Sequence, residues 1–250
     1  MRLWVAALPC LIPAVLVAQP RDSTRTGHWT ANAELSFADM AGNKSLSLLT
    51  TGISAKRLED RHYELALSGS AQYGRSNGDV AVATFQGEFN LRFRPMHRVS
   101  PFVRTTAMHD GIRNIDVRMA MAAGGEFNAI ADGPSTVTLG LALLQDYESR
   151  NLPEGSTDDP VVSSTRFNLQ FRGATPLRPG VTVAHSSQWE PVAGRFSDYL
   201  LMSKTSIQVV LTDALAFQTS YTFNRDVSPP PGVEFRNDRT LTTGLVVRFK

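Results

Sequence analysis

The chain has 250 residues, with 25 lysine and arginine side chains, 23 aspartate and glutamate side chains and a single cysteine. A formal net charge of +2 gives no overall attraction for nucleic acid, so we expect no nucleic-acid partner. This length is compatible with one large domain, and the pattern of predicted elements has to show whether the chain is divided.

The first segment predicts a secretory signal peptide. A positive start is followed by an apolar run over residues 3–18 and then by the polar residues 19–22. We therefore predict a signal peptide over residues 1–18, cleaved after residue 18. The apolar run is shorter than the roughly twenty residues that a membrane-spanning helix needs, and Pro9 and Pro13 interrupt it.

The only cysteine, Cys10, lies inside this signal peptide. A lipoprotein signal is the alternative interpretation, but Pro9 precedes the cysteine and the expected small residue is missing, so we favour ordinary cleavage. The mature protein then has no thiol, which excludes a cysteine nucleophile, thiolate metal ligands and disulfides. We expect a short periplasmic segment over residues 19–27 and one domain over residues 28–250.

Beyond residue 18, segments of about ten residues with a two-residue period recur between clusters of turn residues, and no stretch keeps a helical period. The clearest predicted strands are Trp29 to Phe37, Tyr63 to Tyr73, Val82 to Phe93, Thr136 to Leu144, Arg166 to Phe171, Leu215 to Phe223 and Thr240 to Phe249. Weaker patterns predict strands near Ser45 to Ala55, Phe102 to Met108, Asp116 to Phe127, Val181 to Trp189 and Tyr199 to Leu211. An all-β chain with about twelve strands predicts an antiparallel up-and-down transmembrane β-barrel, with both termini on the periplasmic side.

Loop lengths favour the same fold, because such barrels alternate short periplasmic turns with longer external loops. The even-numbered connections are compact, near residues 58–61, 95–98, 131–134, 176–180 and 212–214. The two longest predicted loops, 149–160 and 226–238, are both odd-numbered connections. The short first hairpin at residues 41–43 breaks the trend, so the rule holds only as a tendency.

Aromatic side chains occur near both ends of the predicted strands, on the apolar face. Trp29, Tyr63 and Phe249 fall near the predicted periplasmic ends, whereas Tyr73 and Trp189 fall near the opposite ends. The ten steps from Tyr63 to Tyr73 cover about 33 Å at roughly 3.3 Å per residue, or about 25 Å in height when the strand tilts by about 40°. A soluble β-sandwich explains the alternation but not these two belts, so we favour the membrane barrel.

The last predicted strand, Thr240 to Phe249, places Leu241 and Leu245 on one face and Thr242 and Arg248 on the other, and it has an aromatic ring near its end. This strand, the first hairpin over residues 29–45 and the proline-rich residues 226–232 resemble the domain-of-unknown-function 481 family. Members of that family are often called salt-induced outer-membrane proteins. The resemblance implies a β-barrel in the bacterial outer membrane, with no catalytic residues to identify.

Charged side chains on the face opposite the apolar residues are expected to point into the lumen, because an arginine or lysine facing lipid costs roughly 2–4 kcal/mol at the membrane midplane. The predicted lumen-facing charged residues are Glu34, Glu64, Glu88, Arg92, Arg94, Arg104, Arg118, Glu126, Arg166, Arg172 and Arg248. In the interpretation that we favour, these charges pair and fill the interior, because a lone charge in a narrow lumen is expensive. In the other, the excess of arginine lines a narrow pore that prefers anions. Diameter alone does not decide, because about twelve strands lie between small filled barrels and open porins.

Two further functions are alternatives. His185 and Ser187 share one strand face, and outer-membrane phospholipases are barrels that carry a histidine and a serine on the lipid face. The residues that follow here, Gln188 to Pro191, do not match those enzymes, so we expect no enzymatic activity. A role of the two long loops in binding a partner at the cell surface also stays open.

We predict no cofactor and no metal site. The acidic residues Glu148, Glu154, Asp158 and Asp159 match no calcium loop, and the histidines have no ligand spacing. The expected partners are outer-membrane lipid and the barrel-assembly machinery, together with small solutes or ions if the lumen is open.

Overall fold

A computed structural model of the chain describes residues 27–40, 46–59, 62–76, 79–111, 114–131, 133–152, 156–228 and 237–249. The predicted signal peptide and most of the segment that follows it lie outside the described residues. Within the described ranges every regular element is a β-strand, and no helix has the length and apolarity to cross a membrane.

Twelve strands follow one another along the chain. They are β1 (Trp29–Met40), β2 (Leu46–Glu59), β3 (Tyr63–Ser76), β4 (Asp79–Phe93), β5 (Val99–Asp110), β6 (Ile115–Ile130), β7 (Thr136–Arg150), β8 (Val161–Arg178), β9 (Val181–Val192), β10 (Arg195–Val210), β11 (Leu215–Asp226) and β12 (Asn237–Phe249).

Each strand pairs antiparallel with its neighbours in the chain, and β1 pairs antiparallel with β12 to close the barrel. The prediction of a twelve-stranded antiparallel up-and-down barrel is therefore confirmed. Because β1 begins and β12 finishes at the same end, we call this the terminal end. The opposite end carries the two longest connections, 151–160 and 227–236, and is called the loop end.

The faces of the wall follow from the two-residue period of the strands. In β7 the side chains of Leu141 and Leu143 are exposed on the outside, whereas those of Ala142 and Leu144 are buried inside. In β11 the same alternation turns Phe217 outward and hides polar side chains within. Successive side chains of a strand point to opposite faces, so an alternating sequence produces an apolar outer surface around a polar interior.

Exposed aromatic rings occupy the outer face near both ends. Those near the terminal end are Trp29, Tyr63, Phe93, Phe127, Phe171, Phe217 and Phe249, and those nearer the loop end include Tyr73, Phe85, Tyr147, Phe196 and Tyr221. Rings at these two levels suit the two interfaces of a bilayer, where an amphipathic ring lies between hydrocarbon and water.

Several strands are longer than the sequence pattern predicts. β7 continues to Arg150, six residues beyond its predicted end at Leu144, and β8 extends past its predicted range at both ends. Outside the apolar band, a strand can pair equally well while both of its faces are polar, so the alternation that marks it in sequence disappears. Gly194, with φ of 81°, allows the tight turn from β9 to β10.

One side of the interior is packed with apolar groups. Phe102, Ala122, Ala142 and Leu144 form a buried cluster on β5, β6 and β7. Gly124 is on β6, and a methyl group added there would overlap the backbone oxygen of Leu141 on β7. The chain therefore requires glycine at position 124 for the close approach of β6 and β7.

Candidate functional site: the barrel interior

Near the terminal end, five side chains of alternating charge form a continuous chain of ion pairs. Lys56 Nζ lies 2.7 Å from Glu64 Oε2, and Arg92 Nη1 lies 2.9 Å from Glu64 Oε1. Arg92 Nη2 lies 2.7 Å from Glu126 Oε2, and Glu126 also pairs with Arg172. We call this set the terminal-end ion-pair chain. It links β2, β3, β4, β6 and β8 across the interior.

The pairing of Arg172 with Glu126 depends on a glycine in the strand between them. Arg172 is on β8 and Glu126 is on β6, so the ion pair passes over the intervening strand β7. The residue of β7 opposite Glu126 is Gly140, where an added Cβ would lie 3.2 Å from Gln170 Cβ and 3.6 Å from Glu126 Cγ. Glycine thus keeps the space open through which the two charges meet.

A second set of charges lies toward the loop end and is called the loop-end ion-pair cluster. Arg118 donates to both carboxylate oxygens of Asp146, at 2.9 and 2.6 Å. Arg166 Nε lies 3.6 Å from the same carboxylate, and Glu148 pairs with Arg150. A bidentate arginine–carboxylate pair fixes orientation as well as charge, so these side chains hold β6, β7 and β8 in register.

Hydrogen bonds connect the strands between these two sets. Arg104 on β5 donates from Nη2 to Asn168 Oδ1 on β8 at 3.3 Å, and the Asn168 and Gln188 amides both donate to Glu190. The side chains that Arg104 passes on β6 and β7 include Ala122 and Ala142, which are small enough to let it reach across. This row fills the lumen beside β5 to β9.

The opposite side of the interior is open. A cavity of about 210 Å³ begins near the terminal end and reaches about halfway along the barrel. Its inward-facing lining includes Thr30, Asn32, Glu34, Thr50, Ser54, Lys56, Glu64, Ser68, Ser70, Arg92, Thr138, Arg172, Lys204, Gln208, Ser220, Thr222, Thr242, Val246 and Arg248. A smaller cavity of about 80 Å³ lies beside Glu88 and Arg104. The larger cavity is the candidate functional site.

The lining of the larger cavity carries more positive than negative charge. Its cations are Lys56, Arg92, Arg172, Lys204 and Arg248, and its carboxylates are Glu34 and Glu64. Glu126, the further carboxylate of the ion-pair chain, is only 2% exposed and does not line the cavity. Arg248 donates to Gln208 and is at the terminal end. The cavity therefore presents hydroxyl, amide and cationic groups to its contents.

The structure brings most of the predicted lumen-facing residues into these three arrangements. Glu64, Arg92, Glu126 and Arg172 belong to the ion-pair chain, Arg118 and Arg166 to the loop-end cluster, and Glu34, Glu88, Arg104 and Arg248 to the cavity linings and the hydrogen-bonded row. Their functional role is still a prediction.

Arg94 is placed differently from the other ten. It lies just beyond β4, in the turn to β5, with a φ of 48°, and its side chain is exposed to solvent. Pro95 follows Arg94 and has no backbone N–H to donate to a neighbouring strand, so β4 ends before Arg94. The alternation of the strand therefore does not determine where the Arg94 side chain points.

Among the described residues, sequence reasoning missed several charged residues of the interior. They include Lys56, Asp110, Asp146, Glu148, Arg150, Glu190, Asp198 and Lys204. Lys204 has the inward parity of its strand, and that signal was available. Asp146, Glu148 and Arg150 share the parity of Ala142 and Leu144, and extending β7 past its predicted end would have found them. Glu148, one of the four acidic residues that match no calcium loop, is a strand residue of β7 paired with Arg150.

The alternative site at His185 and Ser187 gains no support from the geometry. Both residues lie on the outer face of β9, and His185 Nδ1 lies 2.9 Å from Thr205 Oγ1 on β10. No hydrogen bond joins the histidine to Ser187 in the part of the chain that the structure describes. Across the same described ranges, His, Asp and Glu side chains form no group of three that could hold a metal ion.

Comparison with protein families gives one match. The family model described as "Protein of unknown function, DUF481" matches residues 33–249, which includes all but the start of the barrel. No curated protein matches the chain.

Solved structures share the fold at very low sequence identity. The NanC porin, solved in a rhombohedral crystal form, is similar with a TM-score of 0.55 and 9% identity, over 88% of this chain and 100% of that one. The translocator domain of the autotransporter NalP from Neisseria meningitidis is similar with a TM-score of 0.51 and 10% identity, over 90% of each chain. At such identities the likeness concerns the fold alone.

Proposed function

Because the chain belongs to the DUF481 family, whose function is unknown, we propose from its own geometry that it is an outer-membrane barrel whose lumen admits small anionic solutes. The location is supported by the outer surface, where exposed side chains such as Leu141, Leu143 and Phe217 would be unfavourable in water. A cylinder with an apolar outside and two aromatic levels is the form that a strand-built membrane protein requires.

The proposed location is tested by heat-modifiable migration. Full-length protein refolded in detergent is expected to run as a compact band in a gel when unheated and as an extended band after boiling. A closed barrel resists the detergent at room temperature because all of its strands are paired. Equal migration of the two samples, under conditions that preserve a control barrel, would contradict the proposed membrane barrel.

The proposed permeation rests on one observation, the excess of positive charge on the lining of an otherwise polar cavity. Lys204 and Arg248 add cationic groups beyond those of the terminal-end ion-pair chain. Cationic rings in a narrow passage favour anions, because an anion replaces part of its lost hydration with direct contacts. Hydroxyl and amide groups of the same lining supply hydrogen bonds to the remaining oxygen atoms of a small solute.

The paired charges that favoured a filled interior fit this proposal as well. Most of them lie on the side of the lumen where Phe102 and Leu144 also pack, and the terminal-end ion-pair chain, apart from Glu126, lines the cavity beside it. A narrow passage beside a fixed wall of charge selects by size and by sign at once. We therefore propose that the ion pairs define the pathway instead of closing it.

Ion selectivity in planar bilayers tests the pore. In bilayers of diphytanoyl phosphatidylcholine under a potassium chloride gradient, the refolded protein is expected to conduct with a reversal potential of the sign that chloride preference gives. Lys204→Glu places a carboxylate on the cavity lining, so it is expected to shift the reversal potential toward cation preference.

Arg239→Glu is the matched control, because Arg239 is exposed on the outer face of β12. The same charge change at that site should leave the reversal potential unchanged. Absence of conductance at every salt concentration, from protein that shows heat-modifiable migration, would refute the pore and favour a structural role. A shift of the same size in both variants would show that the surface, and not the cavity, sets selectivity.

A further inference from the structure

Near the loop end, the outer face carries a row of aromatic rings that contact one another. Phe167 of β8 and Phe196 of β10 are stacked, with ring centroids 5.9 Å apart and planes at 3°. The ring centroid of Trp189 on β9 lies 6.5 Å from that of Phe196 and 6.3 Å from that of Tyr199. We call these four residues the aromatic row. Among the described residues, the other ring contacts on the outer face each join a phenylalanine to a histidine, so this row is the larger ring surface.

An arginine extends the aromatic row onto the next strand. Arg225 of β11 lies over the Tyr199 ring, with its Cζ 5.9 Å from the centroid. Arg239 of β12 is exposed on the same face. The register partner of Arg225 on β12 is Asn237, so Arg239 is its diagonal neighbour, at a distance of roughly 7–8 Å. Two long side chains at that separation can reach one anion together.

Neither guanidinium has a protein partner among the described side chains. Arg225 Nε is buried, and it makes no hydrogen bond. No ion pair within the described ranges includes Arg225 or Arg239, whereas Arg57, which lies over Trp29 at the terminal end, pairs with Glu59. A buried N–H of a charged group is costly without an acceptor, because its hydration has been lost and not replaced. A negatively charged acceptor bound from outside offsets this cost.

Both arginines lie at the level where lipid head groups are expected. Tyr221 of β11 belongs to the loop-end aromatic level and is opposite Leu241 of β12, and both are exposed outward. Arg225 and Arg239 are the next arginines toward the loop end on these two strands. An arginine on the outer face costs much less there than at the membrane midplane. An arginine fork binds a phosphate through two parallel hydrogen bonds, so a lipid phosphate fits this pair.

The aromatic row favours one kind of lipid phosphate. A glycerol head group has no flat face to lay against several rings. A sugar ring has a face of C–H groups, which packs against an aromatic ring while the sugar hydroxyls stay in water. Phe196, which is 55% exposed, and the half-buried rings beside it offer such a surface next to Arg225. The outer wall below them is apolar and suits acyl chains.

We propose that Arg225, Arg239 and the aromatic row form a binding site for a phosphorylated glycolipid in the membrane leaflet at the loop end. The phosphate lies between the two guanidinium groups, the sugar rings lie on the aromatic row, and the acyl chains run along the apolar wall toward the membrane centre. The site rests on the proposed function only for the membrane location and not for the pore. Its ligand is a lipid and not a soluble sugar phosphate, because the row is continuous with the lipid-facing surface.

Native mass spectrometry with a defined lipid tests the site. The refolded protein, in micelles of octyl tetraoxyethylene, is titrated with lipid A, an acylated glucosamine disaccharide that carries phosphate groups. We expect lipid A without its phosphates, and equally phosphatidylglycerol, to bind about tenfold or more weakly, because each keeps only one of the two kinds of contact. Glucosamine 6-phosphate at the same concentration should not displace lipid A, because it has no acyl chains.

Paired substitutions at the two ends of the barrel provide a matched control. Arg225→Gln with Arg239→Gln removes the phosphate contacts and is expected to weaken the binding of lipid A by about tenfold or more. Arg57→Gln with Arg98→Gln removes the same charge from the terminal end, where each arginine also lies over an aromatic ring. This second variant should bind lipid A as the parent does.

The aromatic row is tested separately. Phe196→Ala is expected to weaken the binding of lipid A by about fivefold and to leave the binding of phosphatidylglycerol unchanged, because only lipid A has sugar rings. Phe217→Ala removes an exposed ring near the terminal end and should change neither.

Four results would overturn the site: parental binding of lipid A by the Arg225 and Arg239 variant, parental binding by Phe196→Ala, an equal loss in the terminal-end variant, or displacement of lipid A by an equal concentration of phosphatidylglycerol. Heat-modifiable migration reports whether each variant is folded. If the paired variant does not fold, Phe196→Ala decides alone, because its side chain is exposed at the end of a hairpin.

The same samples separate this inference from the proposed function. A barrel that binds lipid A through this site and never conducts supports the site while refuting the pore. A barrel that conducts, and that binds lipid A and phosphatidylglycerol equally, does the reverse. The bilayers of diphytanoyl phosphatidylcholine contain no glycolipid, so Arg239 remains a valid control for ion selectivity there.

Discussion

The two halves of the barrel wall use their inward positions in opposite ways. From β4 to β9, which we call the charged wall, the interior holds large side chains such as Phe102, Arg104 and Glu126, joined by ion pairs and hydrogen bonds. From β10 through β12 and on to β3, which we call the hydroxyl wall, it holds mainly small polar ones such as Ser206 and Ser220.

This difference determines where the free volume lies. Both walls have the same backbone geometry and the same alternation, so the size of the inward side chain decides whether the lumen is filled. Most charges on the filled side have partners at short distance, which limits the cost of removing them from water. The cavity lies against the hydroxyl wall because serine and threonine leave space that arginine and phenylalanine would occupy.

The largest expected effect comes from removing the carboxylate that joins two arginines of the charged wall. Glu126→Gln leaves Arg92 and Arg172 without their shared partner in the interior. We expect the free energy of unfolding to fall by about 3–5 kcal/mol, the usual cost of breaking a buried ion pair. Urea-induced unfolding in detergent micelles measures it. The control is Glu59→Gln, whose partner Arg57 is half-exposed, and it should cost less than about 1 kcal/mol.

A smaller effect is expected from two adjacent glycines on opposite faces of β6. Gly124→Ala forces a methyl group against the backbone of β7 and should destabilise the barrel by about 1–3 kcal/mol. Gly125→Ala meets nothing within 4 Å on the outer face, so its stability should stay within about 0.5 kcal/mol of the parent. The temperature at which the compact gel band disappears compares the two. Equal temperatures would show that the charged wall is loosely packed.

Replacing an arginine of the loop-end ion-pair cluster by lysine should lower the free energy of unfolding by less than the Gly124 substitution does. Arg118→Lys keeps the charge opposite Asp146 but loses one of two parallel hydrogen bonds. We expect a loss of about 1 kcal/mol in the free energy of unfolding. Arg195→Lys serves as control, since Arg195 is 68% exposed where it pairs with Asp198, and it should have no measurable effect. Equal losses would mean that the loop-end cluster is solvated.

The smallest effect on stability, with the largest on permeation, is expected in the hydroxyl wall. Ser220→Phe inserts a ring into the cavity, where space is available, so the free energy of unfolding should change by less than about 1 kcal/mol while conductance falls. Thr219→Phe places the same ring on the outer face of the same strand and should leave conductance unchanged. Single-channel recording distinguishes them. Equal conductance in both variants would remove the cavity from the pathway.

Much of the fold could be predicted because the sequence itself encodes the two faces. The alternation of apolar and polar residues predicts strands such as β11 and β12. The even number of predicted strands then favours an up-and-down barrel. Strand ends were harder to find, as β7 shows. Its last residues include Asp146, Glu148 and Arg150, which look like loop residues in sequence, yet they point inward beyond the apolar band.

The partners of the interior charges could not be predicted in the same way. Arg172 meets Glu126 across β7 because Gly140 leaves a gap and because staggered strands bring them to one level. Strand parity indicates which face a side chain occupies but not its height, so it cannot identify a partner two strands away. The location of the cavity depends on the same heights, so it could not be predicted from the sequence either.

The closing contact between β1 and β12 also has a consequence for how the protein folds. The paired residues of the first and last strands are more than two hundred positions apart in the chain, and the other eleven pairings join strands that follow each other directly. Hairpins can form in sequence as the chain is released, but the ring cannot be sealed before the final strand arrives. Until then the chain is an open sheet with two unpaired edge strands, which are prone to aggregation. Because the six register pairs of this contact need the last strand, we expect closure of the ring to be the final step of folding.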